Sequence, residues 1–168
     1  IEKRNIIKAA WQKASKLYGL YLITFIIAFL ARTKWSISAF DWLKTAIVAV
    51  FNLTMTQSFI PFEGIVNSFN GPSWFLSAMF GIWILIYLIP KGVNKLMTLS
   101  VCKCAIGIIA LFVAQESWVL FSKYCISPLF EPKYVAWFYE WLVYSNPIMC
   151  FSEYCVGVLL GRLCAQKQ

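Results

Sequence analysis

SWFLSAMFGIWILIYLI, Ser73 to Ile89, decides the fold. It holds no charged residue, and it is bounded by Gly71-Pro72 on one side and by Pro90, Lys91 and Gly92 on the other. A run of this length and purity approaches the roughly 20 residues that a helix needs to cross a bilayer. In lipid every backbone amide must be paired within its own segment, so the run is expected to be a helix. Three further runs resemble it. Leu17–Ala31 (LYGLYLITFIIAFLA) carries no charge. Leu99–Phe121 has Lys103 near one end and Gln115 and Glu116 near the other. The last run starts at Pro147 and ends near Cys164, and proline suits a first helical position because its missing N–H would be unpaired there.

Composition agrees. Hydrophobic residues make up 61% of the 168 and charged ones 13%, against about half and a quarter in soluble domains. A soluble chain of this size could not hide so much apolar surface. The mean hydropathy is +0.71. The expectation is an all-α fold, a polytopic transmembrane helix bundle of about four spans plus one re-entrant or short helix. Residues 1–168 form a single transmembrane region.

Trp42–Phe59 is the ambiguous stretch. Lys44, Asn52, Thr54, Thr56 and Gln57 interrupt it. Charge arbitrates. If this stretch spans, basic residues divide almost evenly between the two faces. If it does not, Lys3, Arg4, Lys8, Lys13, Lys16, Lys91, Lys95, Lys103, Arg162 and Lys167 share one face. Arg32, Lys34, Lys44, Lys123 and Lys133 then lie on the other. The positive-inside rule prefers the uneven split. The net charge of +8 is therefore read as basic flanks and not as a nucleic-acid surface, and no nucleic-acid partner is expected. The amphipathic lead-in at 3–16 suits an anionic membrane surface.

The six cysteines include no Cys-x-x-Cys pair, and the chain has no histidine. No metal site is expected, and most of the cysteines read as small buried hydrophobes. A Ser-His-Asp arrangement is impossible. Glu116 and Glu153 are carboxylates in or near apolar runs, which makes them functional candidates. Gly157 and Gly161 form a GxxxG pair, a device for close helix approach.

Gln57, Ser58 and Pro61, followed by Asn70, Pro72, Trp74, Leu76 and Ser77 at the start of a helix, resemble two elements of the acyltransferase-3 family of membrane O-acyltransferases. Asn146-Pro147, Phe151, Glu153, Gly157 and Gly161 resemble a third, with Tyr154 where that family usually has Phe. The basic lead-in is similar to the family's cytoplasmic segment before its third helix. The elements occur in the family's order across nearly the whole chain. The resemblance implies acyl transfer from acyl-CoA, in particular acetyl-CoA, to a hydroxyl of a cell-surface or exported carbohydrate or lipid-linked acceptor. It also implies an integral protein of the bacterial plasma membrane, with membrane lipid around it. Trp74, Ser77 and Glu153 become catalytic candidates, and Asn70, Trp74 and Ser77 substrate-binding ones. Lys3, Arg4 and Lys8 would meet CoA phosphates. The family's early helices carry a histidine held to be essential, and this chain has none. The expectation is therefore an internal fragment that lacks flanking helices of the same protein, or else a degenerate copy, and in either case a chain inactive alone. The rival from another class is a polytopic transporter or a non-catalytic membrane subunit, since transporters use broken helices around sites at mid-membrane.

Overall fold

The computed structural model describes residues 6–32, 39–62, 64–69, 71–131 and 137–165. Among these the chain is helical, without strands. We label the helices α1 (Ile6–Arg32), α2 (Ala39–Leu53), α3 (Trp74–Leu88), α4 (Pro90–Met97), α5 (Val101–Phe121) and α6 (Pro147–Ala165). Four stretches are long and apolar enough to cross a membrane: Ile6–Ala31, Gly71–Leu88, Val101–Leu129 and Trp137–Ala165. They correspond to the four runs read from the sequence.

The spans pack in the order α1, α3, α6, α5. Ala10 and Ala14 are fully buried and bring α3 close to α1. Trp11 lies edge-on to Phe80, with ring centres 6.4 Å apart, while Tyr21 is joined to Ser73 through Gln57. The helices α1 and α3 are therefore antiparallel. Trp74 meets Tyr144 and Gly81 meets Pro147, so α3 and α6 run in the same direction. The pair α5 and α6 is antiparallel: Gln115 Nε2 donates to Ser152 Oγ at 2.6 Å, and Arg162 Nε donates to the Leu99 carbonyl at 3.4 Å. These directions place the start of α1, all of α4, the start of α5 and the end of α6 at one end of the bundle. Lys8, Lys91, Lys95, Lys103 and Arg162 gather there. Lys44 and Lys123 lie toward the opposite end. Lys3, Arg4, Lys34, Lys133 and Lys167 lie outside the described residues.

The ambiguous stretch is a short helix, α2, followed by a turn at Gln57–Phe59. Fifteen residues reach about 22 Å, less than the roughly 30 Å of a hydrocarbon core. Its C-terminal end lies against the middle of α1, where the orphan carbonyls that end any helix all find donors. Tyr18 Oη donates to the Leu53 carbonyl at 2.8 Å and Tyr21 Oη to that of Asn52 at 2.7 Å. Thr54 Oγ1 donates to the Val50 carbonyl at 2.8 Å. The Thr56 amide donates to that of Phe51 at 2.9 Å. Two tyrosines of α1, with the Thr54 hydroxyl and the Thr56 amide, thus let the chain stop and turn at depth, as irregular backbone there requires.

The GxxxG expectation is corrected. A Cβ on Gly157 or Gly161 would meet nothing within 4 Å. Both lie on an exposed face of α6. The close approaches occur instead at Gly81, against Pro147 and Phe59, and at Gly107, against Leu159. Half of the cysteines fit the expectation: Cys104, Cys150 and Cys155 are buried, whereas Cys102, Cys125 and Cys164 are exposed on outer helix faces.

Candidate functional site

Two arrangements meet at α3, one on each side of it. The first is a buried polar seam between α1, α2 and α3. Gln57, fully buried, donates from Nε2 to the Ser73 carbonyl at 3.1 Å, to Ser73 Oγ at 3.2 Å and to Tyr21 Oη at 3.5 Å. Ser77 Oγ accepts from the Ser58 amide at 3.0 Å and is hydrogen-bonded to Ser58 Oγ at 2.7 Å. Trp141 Nε1 donates to the Ser58 carbonyl at 2.8 Å, which ties the seam to the segment leading into α6. Asn52 Nδ2 donates to Ser68 Oγ at 2.6 Å.

Gln57→Leu keeps the side chain's bulk and removes these donors. Each buried partner left unpaired costs about 1–3 kcal/mol, so the variant is expected to lower the melting temperature of the detergent-solubilised protein clearly. Ser15→Ala, at an exposed position, is the control. A melting temperature equal to wild type for Gln57→Leu would mean that the seam does not form.

The second arrangement is a cleft of about 650 Å³ between α3 and α6. Its walls include Asn67, Trp74, Met79, Tyr144, Glu153 and Tyr154. Trp74 and Tyr144 pack with ring centres 4.7 Å apart at 55°. Phe151 and Tyr154 stack at 6.0 Å and 23°. Glu153 is exposed to the cleft side. The parallel course of α3 and α6 sets Trp74, at the first position of α3, and Glu153, in the second turn of α6, on one cavity.

The start of α6 is held firmly. Asn146 Oδ1 accepts from the Ile148 amide at 3.0 Å and the Met149 amide at 3.1 Å, as a helix N-cap does. Its Nδ2 donates to the Leu142 carbonyl at 2.7 Å and to that of Trp141 at 3.1 Å. One side chain thus fixes both α6 and the preceding turn, Trp141–Ser145, which carries Tyr144. Asn146-Pro147 serves the site by positioning it.

The sequence candidates divide accordingly. Trp74 and Glu153 both line the cleft, at different levels along it. Ser77 does not line it: it faces the seam, is fully buried and is committed to Ser58. Ser73 occupies the N-cap position of α3, but its hydroxyl makes no capping bond and accepts from Gln57 instead. Glu116 lies on an exposed face of α5, away from the cleft. Lys8 is exposed at the basic end. Asn70, Lys3 and Arg4 lie outside the described residues. Sequence reasoning missed Asn67, Tyr144 and Tyr154. The available signal was aromatic clustering around 134–144 together with Tyr154 next to Glu153.

One curated relative resembles the chain: "Acyltransferase MdmB" from Streptomyces mycarofaciens. It is 27% identical over 172 residues, which cover 95% of this chain and 41% of the relative. The chain thus spans about two fifths of the length of the relative it matches. No family model and no solved structure matches. The chain is thus similar to part of a protein named an acyltransferase, and the acyltransferase-3 family is a resemblance carried by the motifs.

Proposed function

We propose that this chain is the part of a membrane-bound O-acyltransferase that holds the acceptor, and that the cleft between α3 and α6 is where the acceptor hydroxyl lies. The observation that carries this reading is that Trp74 and Glu153 line one aromatic-walled cavity. Aromatic faces suit the apolar faces of a sugar ring, and a carboxylate suits its hydroxyls. The donor is acyl-CoA, acetyl-CoA in the first instance, entering from the basic end in a bacterial plasma membrane. Its phosphates would meet cations such as Lys3, Arg4 and Lys8. The acceptor is a cell-surface or exported carbohydrate, or a lipid-linked form of one, entering from the opposite end.

The acceptor oxygen attacks the thioester carbonyl. A C–O bond forms, the C–S bond breaks, and CoA leaves as the thiol. The hydroxyl proton passes to Glu153 and from there to the departing sulfur, which is general-base and then general-acid work. Asn67 and the Tyr144 and Tyr154 hydroxyls supply hydrogen-bonding groups on the same wall. Flanking helices of the full protein supply the rest of the donor site, the family's histidine included.

The test is transfer of radiolabelled acetyl groups from acetyl-CoA to host exported glycan by membranes carrying the full-length protein. Trp74→Ala removes the stacking wall and is expected to raise the acceptor KM about tenfold, the equivalent of about 1.4 kcal/mol of binding. An unaltered acceptor KM in that variant would overturn the placement of the acceptor.

A further inference from the structure

A second pocket, of about 270 Å³, lies beside the cleft. Its walls include Phe62, Asn67, Trp137, Glu140, Trp141 and Ser145. Asn67 lines both cavities, and the segment that bears Tyr144 on the cleft bears Trp141 and Ser145 on the pocket. The chemistry repeats that of the cleft. Phe62 and Trp137 stack at 6.4 Å and 27°. Trp141 is held by its bond to the Ser58 carbonyl. Glu140 offers an exposed carboxylate.

One observation separates this pocket from an ordinary groove. Ser145 is 3% exposed, lines the pocket, and has a hydroxyl oxygen with no hydrogen-bond partner. Serines within helices commonly bond back to a carbonyl one turn earlier. Here the two nearby carbonyls, of Trp141 and Leu142, already accept from Asn146. Buried polar groups are almost always paired, so an orphan hydroxyl against a cavity points to a ligand.

We propose that this pocket is an adjoining subsite for a second hydroxyl-bearing ring, so that the acceptor is a chain of saccharide units and not a single sugar. This rests on the acceptor site proposed above. Asn67 would lie at the junction of the two units. The ring in the pocket would stack on Trp137, donate to or accept from Ser145 Oγ, and offer a hydroxyl to Glu140.

The experiment uses membranes with the full-length protein, radiolabelled acetyl-CoA, and two acceptors: host exported glycan, and the monosaccharides released from it by hydrolysis. Wild type is expected to prefer the glycan in kcat/KM. In Trp137→Ala and Ser145→Ala that preference is expected to fall about tenfold. Glu140→Gln, at an exposed side chain, gives the same reading should Trp137→Ala fail to fold. If the preference stays at the wild-type value in these variants, or if both acceptors suffer equally, the subsite is overturned. If Trp74→Ala impairs transfer while the preference holds elsewhere, the acceptor site stands and the subsite alone falls. If wild type acetylates neither acceptor, the proposed function itself falls, and the subsite with it.

Discussion

Gly81→Val is expected to remove the folded protein from the membrane fraction. A Cβ at Gly81 would lie 2.5 Å from Pro147 Cβ, 2.9 Å from Pro147 Cγ and 3.0 Å from Phe59 Cζ. The phenyl ring could swing aside. The proline ring could not, because its φ is locked and Asn146 clamps the helix start on both sides. The two helices would have to part. Overpacking of even a methylene costs about 1–3 kcal/mol, and valine adds three carbons where α3 meets Pro147 of α6. The cleft lies in that same interface, so the damage reaches the site. Size-exclusion profiles of the detergent-solubilised variant are expected to show aggregate in place of the wild-type peak. Gly157→Val, where a Cβ meets open space, is expected to elute as wild type. Wild-type elution of Gly81→Val would mean that α3 and α6 do not touch there.

The contrast between these glycines shows where sequence reading stops. Spacing identifies a GxxxG pair, but it cannot say which face of a helix meets a neighbour. The same limit applies to Ser77. The run that forms α3 is apolar nearly all round, so its pattern marks no inner stripe. Trp74 and Ser77 lie less than a turn apart and neighbour each other on the helix surface, yet Trp74 lines the cleft and Ser77 is bonded into the buried seam. The spans themselves were legible, because length and apolarity alone decide them. So was the start of α6, since Pro147 follows a good capping residue. The short α2 was legible from charge and from its polar residues. How its end is satisfied was not, because Tyr18 and Tyr21 reach the last carbonyls of α2 from more than thirty positions away. The cleft needed the parallel course of α3 and α6, which no local pattern encodes.

Glu153→Gln is expected to lower kcat for acetyl transfer by about 100-fold or more, the range for removal of a general base. Glutamine has nearly the same shape and can still hydrogen-bond a hydroxyl, but it cannot take the proton. The acceptor KM is therefore expected to change little. That split is the opposite of Trp74→Ala, where the wall is lost and KM rises. A structural role for Glu153 would not produce it. The side chain is exposed, among the described residues no ion pair engages it, and its removal leaves no buried partner stranded. A Glu153→Gln enzyme that melts as wild type and turns over at the wild-type rate would strip the carboxylate of its role and move the base to another part of the protein. If instead kcat falls while Trp74→Ala changes KM alone, binding and proton transfer divide between the two helices that form the cleft. Their relative placement, fixed by Gly81 against Pro147, would then be what the chemistry depends on.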